Sequence, residues 1–136
     1  MLDTNIFVYY VSDKDSLTRD VANMLSDYDN QLFLSMESVR ELIVAFRTKK
    51  LLQGVWDTPN SMVVSIEEDF GIGVLPVDMS VMKTYASLDI NTAQDHKDPS
   101  DHVIIAHAIT LGIPLVSSDR KFPFYKRQRL DLIENW

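Results

Sequence analysis

Short apolar runs alternate along this chain with longer segments of helical periodicity, and no run is long enough to pair with itself through a tight turn. Leu32-Phe33-Leu34, Val74-Leu75-Pro76-Val77, Ile113 to Val116 and Leu130 to Ile133 have the length of buried strands. Strands joined through helical crossovers run parallel, and their carboxyl ends share one rim of the sheet. The expected fold is therefore α/β: a three-layer α/β/α sandwich with a mainly parallel sheet of about five strands. Met1 to Asp3 reads as the stub of the first strand. It is shorter than most strands, so a chain start further upstream is expected.

The helical segments can be placed from caps and periodicity. Ile6, Phe7, Tyr9 and Tyr10 predict a first helix, and Ser16 is the expected cap of a second carrying Leu17, Val21, Met24 and Leu25. A long helix is predicted from about Glu37 to Leu51, with Val39, Leu42, Ile43 and Phe46 on one face. Gly54 and Pro59 read as a loop, residues 60–70 as helix, and Asp78 as the cap of the next helix. Asp98-Pro99 opens a helix that is apolar almost all round from Val103 to Leu111 and stops at Gly112.

With 136 residues the chain is expected to form one domain, 1–136, and its 46% hydrophobic content is enough for a packed core. There is no cysteine, which excludes disulfides and thiolate metal sites. No apolar run approaches the ~20 residues of a membrane span. The N-terminus lacks the basic-then-apolar pattern of a signal peptide, so a cytoplasmic location is expected. Twenty acidic residues against thirteen Lys and Arg give a net charge of −7. That is the wrong sign for a protein that grips nucleic acid by charge alone. Bound cations or a basic partner would have to invert it locally.

Four of the acids stand where strands hand over to helices: Asp3, Glu41, Asp101 and Asp119. Asp3 and Asp119 end apolar runs, on the rim where ligands of open parallel sheets bind. Carboxylates gathered there repel one another unless a cation lies between them, and hard divalent ions such as Mg²⁺ prefer oxygen ligands. The spacing reads as a metal-dependent phosphoryl-transfer site. Each acid also has a plainer role. Asp3 and Asp98 are good helix N-caps, Asp101 falls in the first turn where the dipole favours it, and Asp119 suits a turn. Asp98 is assigned mainly to capping and Asp101 to the metal. Glu41 lies about 150° from the centre of its helix's apolar face, so periodicity alone places it in solvent. Ser117 or Ser118 is positioned to hydrogen-bond a neighbouring carboxylate.

His96, His102 and His107 do not make a zinc pattern: His102 and His107 are five apart, on different helix faces. No phosphate-cradling glycine loop and no nucleophile elbow is present. The segment Lys121-Phe122-Pro123-Phe124-Tyr125-Lys126-Arg127-Gln128-Arg129 interleaves cations with aromatics. It reads equally as a single-stranded RNA contact through Lys121, Lys126, Arg127 and Arg129, or as a loop anchored by Phe122 and Tyr125.

Leu-Asp-Thr-Asn (2–5), Ser-Val-Arg-Glu-Leu (38–42), His-Lys-Asp-Pro-Ser-Asp (96–101) and Leu-Val-Ser-Ser-Asp-Arg-Lys-Phe (115–122) together resemble the PIN-domain nucleases. The chain looks most like the VapC-type toxins of toxin–antitoxin pairs. The likeness spans essentially the whole chain in the family's motif order. It implies a five-stranded parallel sheet between helices and Mg²⁺- or Mn²⁺-dependent endoribonuclease activity on RNA. Asp3, Glu41, Asp101 and Asp119 match the family's acidic quartet, and Ser117 matches the hydroxyl residue before the last acid. Asn5 and Asp98 fall in the same motifs as supporting residues. Ser100 and His102 stand where the family commonly has Phe and Arg, so no role for that Arg carries over. The resemblance also implies a small antitoxin with a basic C-terminal arm as partner; a homodimer is expected. A housekeeping RNA-processing nuclease and a non-catalytic Mg²⁺-binding receiver-like module are the alternative classes. The second wants a strand-end Lys, and none appears.

Overall fold

Alternation of strand and helix is what forms. The computed structural model describes residues 1–136. In chain order its main elements are α1 (Thr4–Ser12), α2 (Arg19–Ser26), β1 (Phe33–Ser35), α3 (Met36–Lys49), α4 (Pro59–Glu68), β2 (Gly73–Leu75), α5 (Met79–Ala86), α6 (Pro99–Leu111), β3 (Leu115–Ser117) and β4 (Leu132–Glu134). Short 3₁₀ segments occupy Lys14–Ser16, Thr92–Gln94 and Phe122–Gln128.

All strand pairing is parallel. Leu34 stands opposite Val74 in the β1–β2 pair, and Val116 opposite Ile133 in the β3–β4 pair. Leu2 joins the two pairs through single parallel bridges to Leu34 and Val116. Its N–H donates to Phe33 O at 2.8 Å, and Val116 N–H donates to Met1 O at 2.9 Å. The α/β class and parallel sense agree with the alternation. The expected sheet of about five strands does not: four three-residue strands form two pairs, with one residue between them. Leu2 makes its two bridges directly before Asp3, the cap that turns the chain into α1 at Thr4.

Side chains alternate across a strand, so neighbours face opposite cores. Leu2, Leu34 and Val116 pack with Ile6 and Phe7 of α1, Leu42 of α3, and Met62 and Ile66 of α4. Met1 and Leu115 pack instead with Ile104 and Ile105 of α6 and with Phe122 and Tyr125. Helices therefore cover both sides of the strands. At Gly73 the Phe33 ring approaches so closely that an added Cβ would lie 2.9 Å from its Cδ1.

The helix ends explain several boundaries. Asp78 caps α5 by accepting from Val81 N–H, and Asp98 caps α6 by accepting from Ser100 N–H. Gly112 ends α6 in the left-handed region at φ 62°, a conformation that costs glycine little. The second helix starts later than expected. Thr18, not Ser16, is its cap, accepting from Val21 N–H, while Ser16 closes a 3₁₀ turn against Asp13. Pro59 is not a loop residue but the first residue of α4, behind the reciprocal cap of Thr58 and Ser61.

Candidate active site

The parallel register delivers the acids to one place. Asp3 follows Leu2 at the centre of the strand array, and Asp119 lies two residues beyond the end of β3. Asp101 enters from the first turn of α6, and Glu41 from the second turn of α3. All four line one cleft of about 620 Å³. Asn5 and Asp98 line it too, as do Arg40 and Lys49.

Each of the four acids has a hydrogen-bond partner. Asp3 accepts from Thr4 N–H on Oδ1 and from the Ser117 hydroxyl on Oδ2, both at 2.8 Å. The same Ser117 hydroxyl accepts from Asp119 N–H at 3.0 Å, so it links the two acids. The Thr4 hydroxyl donates to Glu41 Oε1 at 2.7 Å. Lys121 N–H donates to Asp119 Oδ1 at 2.8 Å. His96 Nε2 lies 2.9 Å from Asp101 Oδ2.

The cluster resists full ionisation. Burial, followed by the charge of Asp101, pushes the Asp3 carboxyl up to about 7 despite its two donors. Burial and the nearby Asp98, Glu41 and Asp119 push Asp101 up to about 7 as well. Glu41 is raised, again chiefly by burial. Glu37, one turn earlier, goes the other way. Burial raises it, but hydrogen bonds from Arg40 and Ser100 outweigh that and leave it low.

Glu41 corrects the periodicity argument. Helix α3 buries Val39, Leu42 and Phe46 against the core, and its opposite side is not open solvent. Glu41, Ala45 and Lys49 recur every four residues there and line the cleft, with Arg40 and Val44 beside them. The signal was the four-residue repeat of small and polar positions.

The basic segment divides. Phe122 and Tyr125 are fully buried anchors of a 3₁₀ helix. Lys126 pairs with Glu134, and Arg127 pairs with Asp89 at 2.9 Å while stacking on the Phe124 ring at 3.8 Å. Arg129 ends the segment in a left-handed conformation at φ 75°. Lys121 adjoins the acids through its backbone N–H, which donates to Asp119, while its ammonium reaches Asp95 O at 3.5 Å.

His102 and His107 are core residues. His107 Nδ1 meets the Ser35 hydroxyl at 2.8 Å and ties α6 to the cap of α3. His96 is different, and its place beside the acids was not legible in a loop without periodicity. Its ring nitrogen and carboxylate oxygens of Asp101 and Asp119 all lie within 4.8 Å of one another. Burial lowers its pKa.

The PIN-domain model matches residues 1–128, and the chain belongs to the PIN domain family. Its fold is similar to that of the VapBC2 complex from Rickettsia felis, solved bound to a DNA fragment from the promoter. That likeness has 22% identity and a TM-score of 0.71 over 98% of this chain and 96% of that one. DNA-bound VapBC from Salmonella typhimurium has 18% identity and a TM-score of 0.71, covering 100% of this chain and 97% of the other. VapBC-5 of the toxin–antitoxin systems of Mycobacterium tuberculosis has 20% identity and a TM-score of 0.60, covering 98% and 95%. Comparison with curated proteins gives no match. No helix is long and apolar enough to cross a membrane.

Proposed function

We propose that residues 1–136 act as one PIN-type endoribonuclease domain, dependent on Mg²⁺ or Mn²⁺, and as the toxin of a cytoplasmic toxin–antitoxin pair. The observation that carries this is the convergence of Asp3, Glu41, Asp101 and Asp119 on one cleft, with two of them held near neutrality by burial and mutual repulsion. An all-carboxylate set with donors behind it fits a hard divalent ion, whose charge relieves that repulsion. Such an ion, when bound, neutralises charge on the scissile phosphate and acidifies an attacking water. The chain's own residues do the rest. Thr4, Ser117, His96 and Lys121 N–H fix the four carboxylates. Asn5 and Asp98 complete the polar wall. Arg40 and Lys49 line the cleft and supply cations for phosphate contacts, and Lys121, Lys126, Arg127 and Arg129 follow Asp119 in sequence as further candidates for RNA contact. No side-chain nucleophile is required.

The partner reading rests on charge and on the neighbours. A protein of net charge −7 with carboxylates crowded in one cleft attracts a basic arm, and Arg pairs with carboxylates two ways. The similar structures from Rickettsia felis and Mycobacterium tuberculosis are VapBC assemblies. In cells, short induction of this chain should create new RNA 5′ ends at defined sites, and co-expression of a small basic-tailed partner captured from the native host should suppress them. Induction that leaves the RNA 5′ ends unchanged would count against both readings.

A further inference from the structure

Behind Asp101 lies a buried chain of hydrogen bonds of which the catalytic reading uses only the first, from His96. Asn91 N–H donates to the Tyr125 hydroxyl at 3.2 Å. Tyr125 Oη lies 2.9 Å from His96 Nδ1, and His96 Nε2 lies 2.9 Å from Asp101 Oδ2. Tyr125 is fully buried and His96 is 2% exposed. The 90s loop, the 3₁₀ helix 122–128 and the start of α6 thus meet at one imidazole.

The order of the donors follows from the chemistry of each group. A Tyr hydroxyl has one proton. Since its oxygen already accepts from Asn91, and His96 is the other partner it meets, that proton points at Nδ1. Nδ1 then accepts, the ring proton sits on Nε2, and Nε2–H donates to Asp101 Oδ2. One oxygen of Asp101 is tied back and the other is left for the cleft.

We infer that His96, with its tautomer set by Tyr125, is a positioning residue that presents Asp101 to a divalent cation. The inference rests on the proposed metal-dependent site. His96 is not itself a ligand here, because both of its ring nitrogens are engaged, one by Tyr125 and the other by Asp101. Outer partners of this kind orient ligands, and their loss typically weakens metal binding or activity by about 10–100-fold.

The isosteres of histidine separate positioning from packing. Gln places an amide N–H where Nε2 stands, whereas Asn places one near Nδ1. Mn²⁺ affinity of the purified full chain, followed by EPR of the free ion, should fall about tenfold or more in His96→Leu and His96→Asn. It should be largely restored in His96→Gln. Tyr125→Phe, which deletes one hydroxyl, should also weaken Mn²⁺ binding. In the metal-free protein it should shift the ¹⁵N signals of His96 away from the Nε2-protonated tautomer. RNA cleavage is measured alongside. If the wild type cleaves no RNA but Mn²⁺ affinity follows this ranking, the nuclease reading fails and the positioning role stands. Leu, Asn and Gln variants that bind Mn²⁺ equally, a Gln variant as weak as Leu, or a wild type that binds no Mn²⁺ would each overturn it.

Discussion

Asp3 caps α1 and is also the most buried of the converging carboxylates, and these two roles set its titration. Its carboxyl moves from 3.8 to about 7 on folding. The folded state therefore holds that proton more tightly. The stability this contributes is complete below about pH 4 and is lost as pH rises toward 7. Each unit corresponds to about 1.4 kcal/mol. Urea unfolding of the metal-free protein should show Asp3→Asn gaining on the wild type by on the order of 2–3 kcal/mol between about pH 5 and pH 8. A difference that stays constant across that range would mean Asp3 is not a destabilising buried charge. Glu41 and Glu37 give a second residue-scale comparison. Glu41→Gln should lower RNA cleavage by at least about tenfold, roughly 1.4 kcal/mol in the barrier. Glu37→Gln, which touches only Arg40 and Ser100, should do much less. The reverse ranking in single-turnover assays would place the cleft on the wrong side of α3. Asp3 and Asp119 were legible because they end apolar runs, and Asp101 because Asp98-Pro99 marks a helix start. Glu41 was legible from its motif but not from periodicity, because α3 has a core side and a cleft side and periodicity sees only the first. His96 was not, because its partners lie on separate elements and no local pattern joins them.

At the scale of elements, the helices were readable to within a few residues because their caps are local chemistry. Asp98-Pro99 with Gly112 brackets α6, and Asp78 opens α5. The errors fall where long-range contacts decide. Thr18 rather than Ser16 begins α2 because Asn135, near the other end of the chain, takes the intervening backbone. Its Oδ1 accepts from Thr18 N–H at 2.7 Å and its Nδ2 donates to Ser16 O at 3.0 Å. Nothing near residue 16 announces that. Asn135→Ala strands a part-buried N–H, and should cost about 1–3 kcal/mol in thermal or urea unfolding. Ser16→Ala, at an exposed side chain, should be close to neutral. Equal losses would remove the Asn135 clamp from the account. The strands were found but overdrawn. Three residues each are enough to seat Leu34 and Val116 beside Leu2 and to fix the direction of the chain into Asp3.

For the whole molecule, charge and shape point in one direction. A net charge of −7, with Asp3, Glu41, Asp98, Asp101 and Asp119 lining one cleft, makes that cleft an anion field that disfavours free RNA and favours a basic segment. Affinity capture from the native host should retrieve a small basic-tailed protein that is released as ionic strength rises, since exposed charge is screened within ~10 Å at 0.1 M salt. Recovery of no such partner, together with harmless expression of the chain alone, would favour a housekeeping RNA-processing nuclease. The family and its parallel α/β plan were legible from four motifs in order. The gap between the two strand pairs was not, because the single bridges of Leu2 to Leu34 and Val116 are long-range contacts that no local pattern announces. The most direct test of the metal-dependent nuclease is cleavage of total RNA by the purified chain, read as new 5′ ends. Ends should appear with Mg²⁺ or Mn²⁺, vanish on adding EDTA, and be absent with Asp101→Asn. Ends that persist in EDTA or with Asp101→Asn, or that never form with either metal, would contradict it.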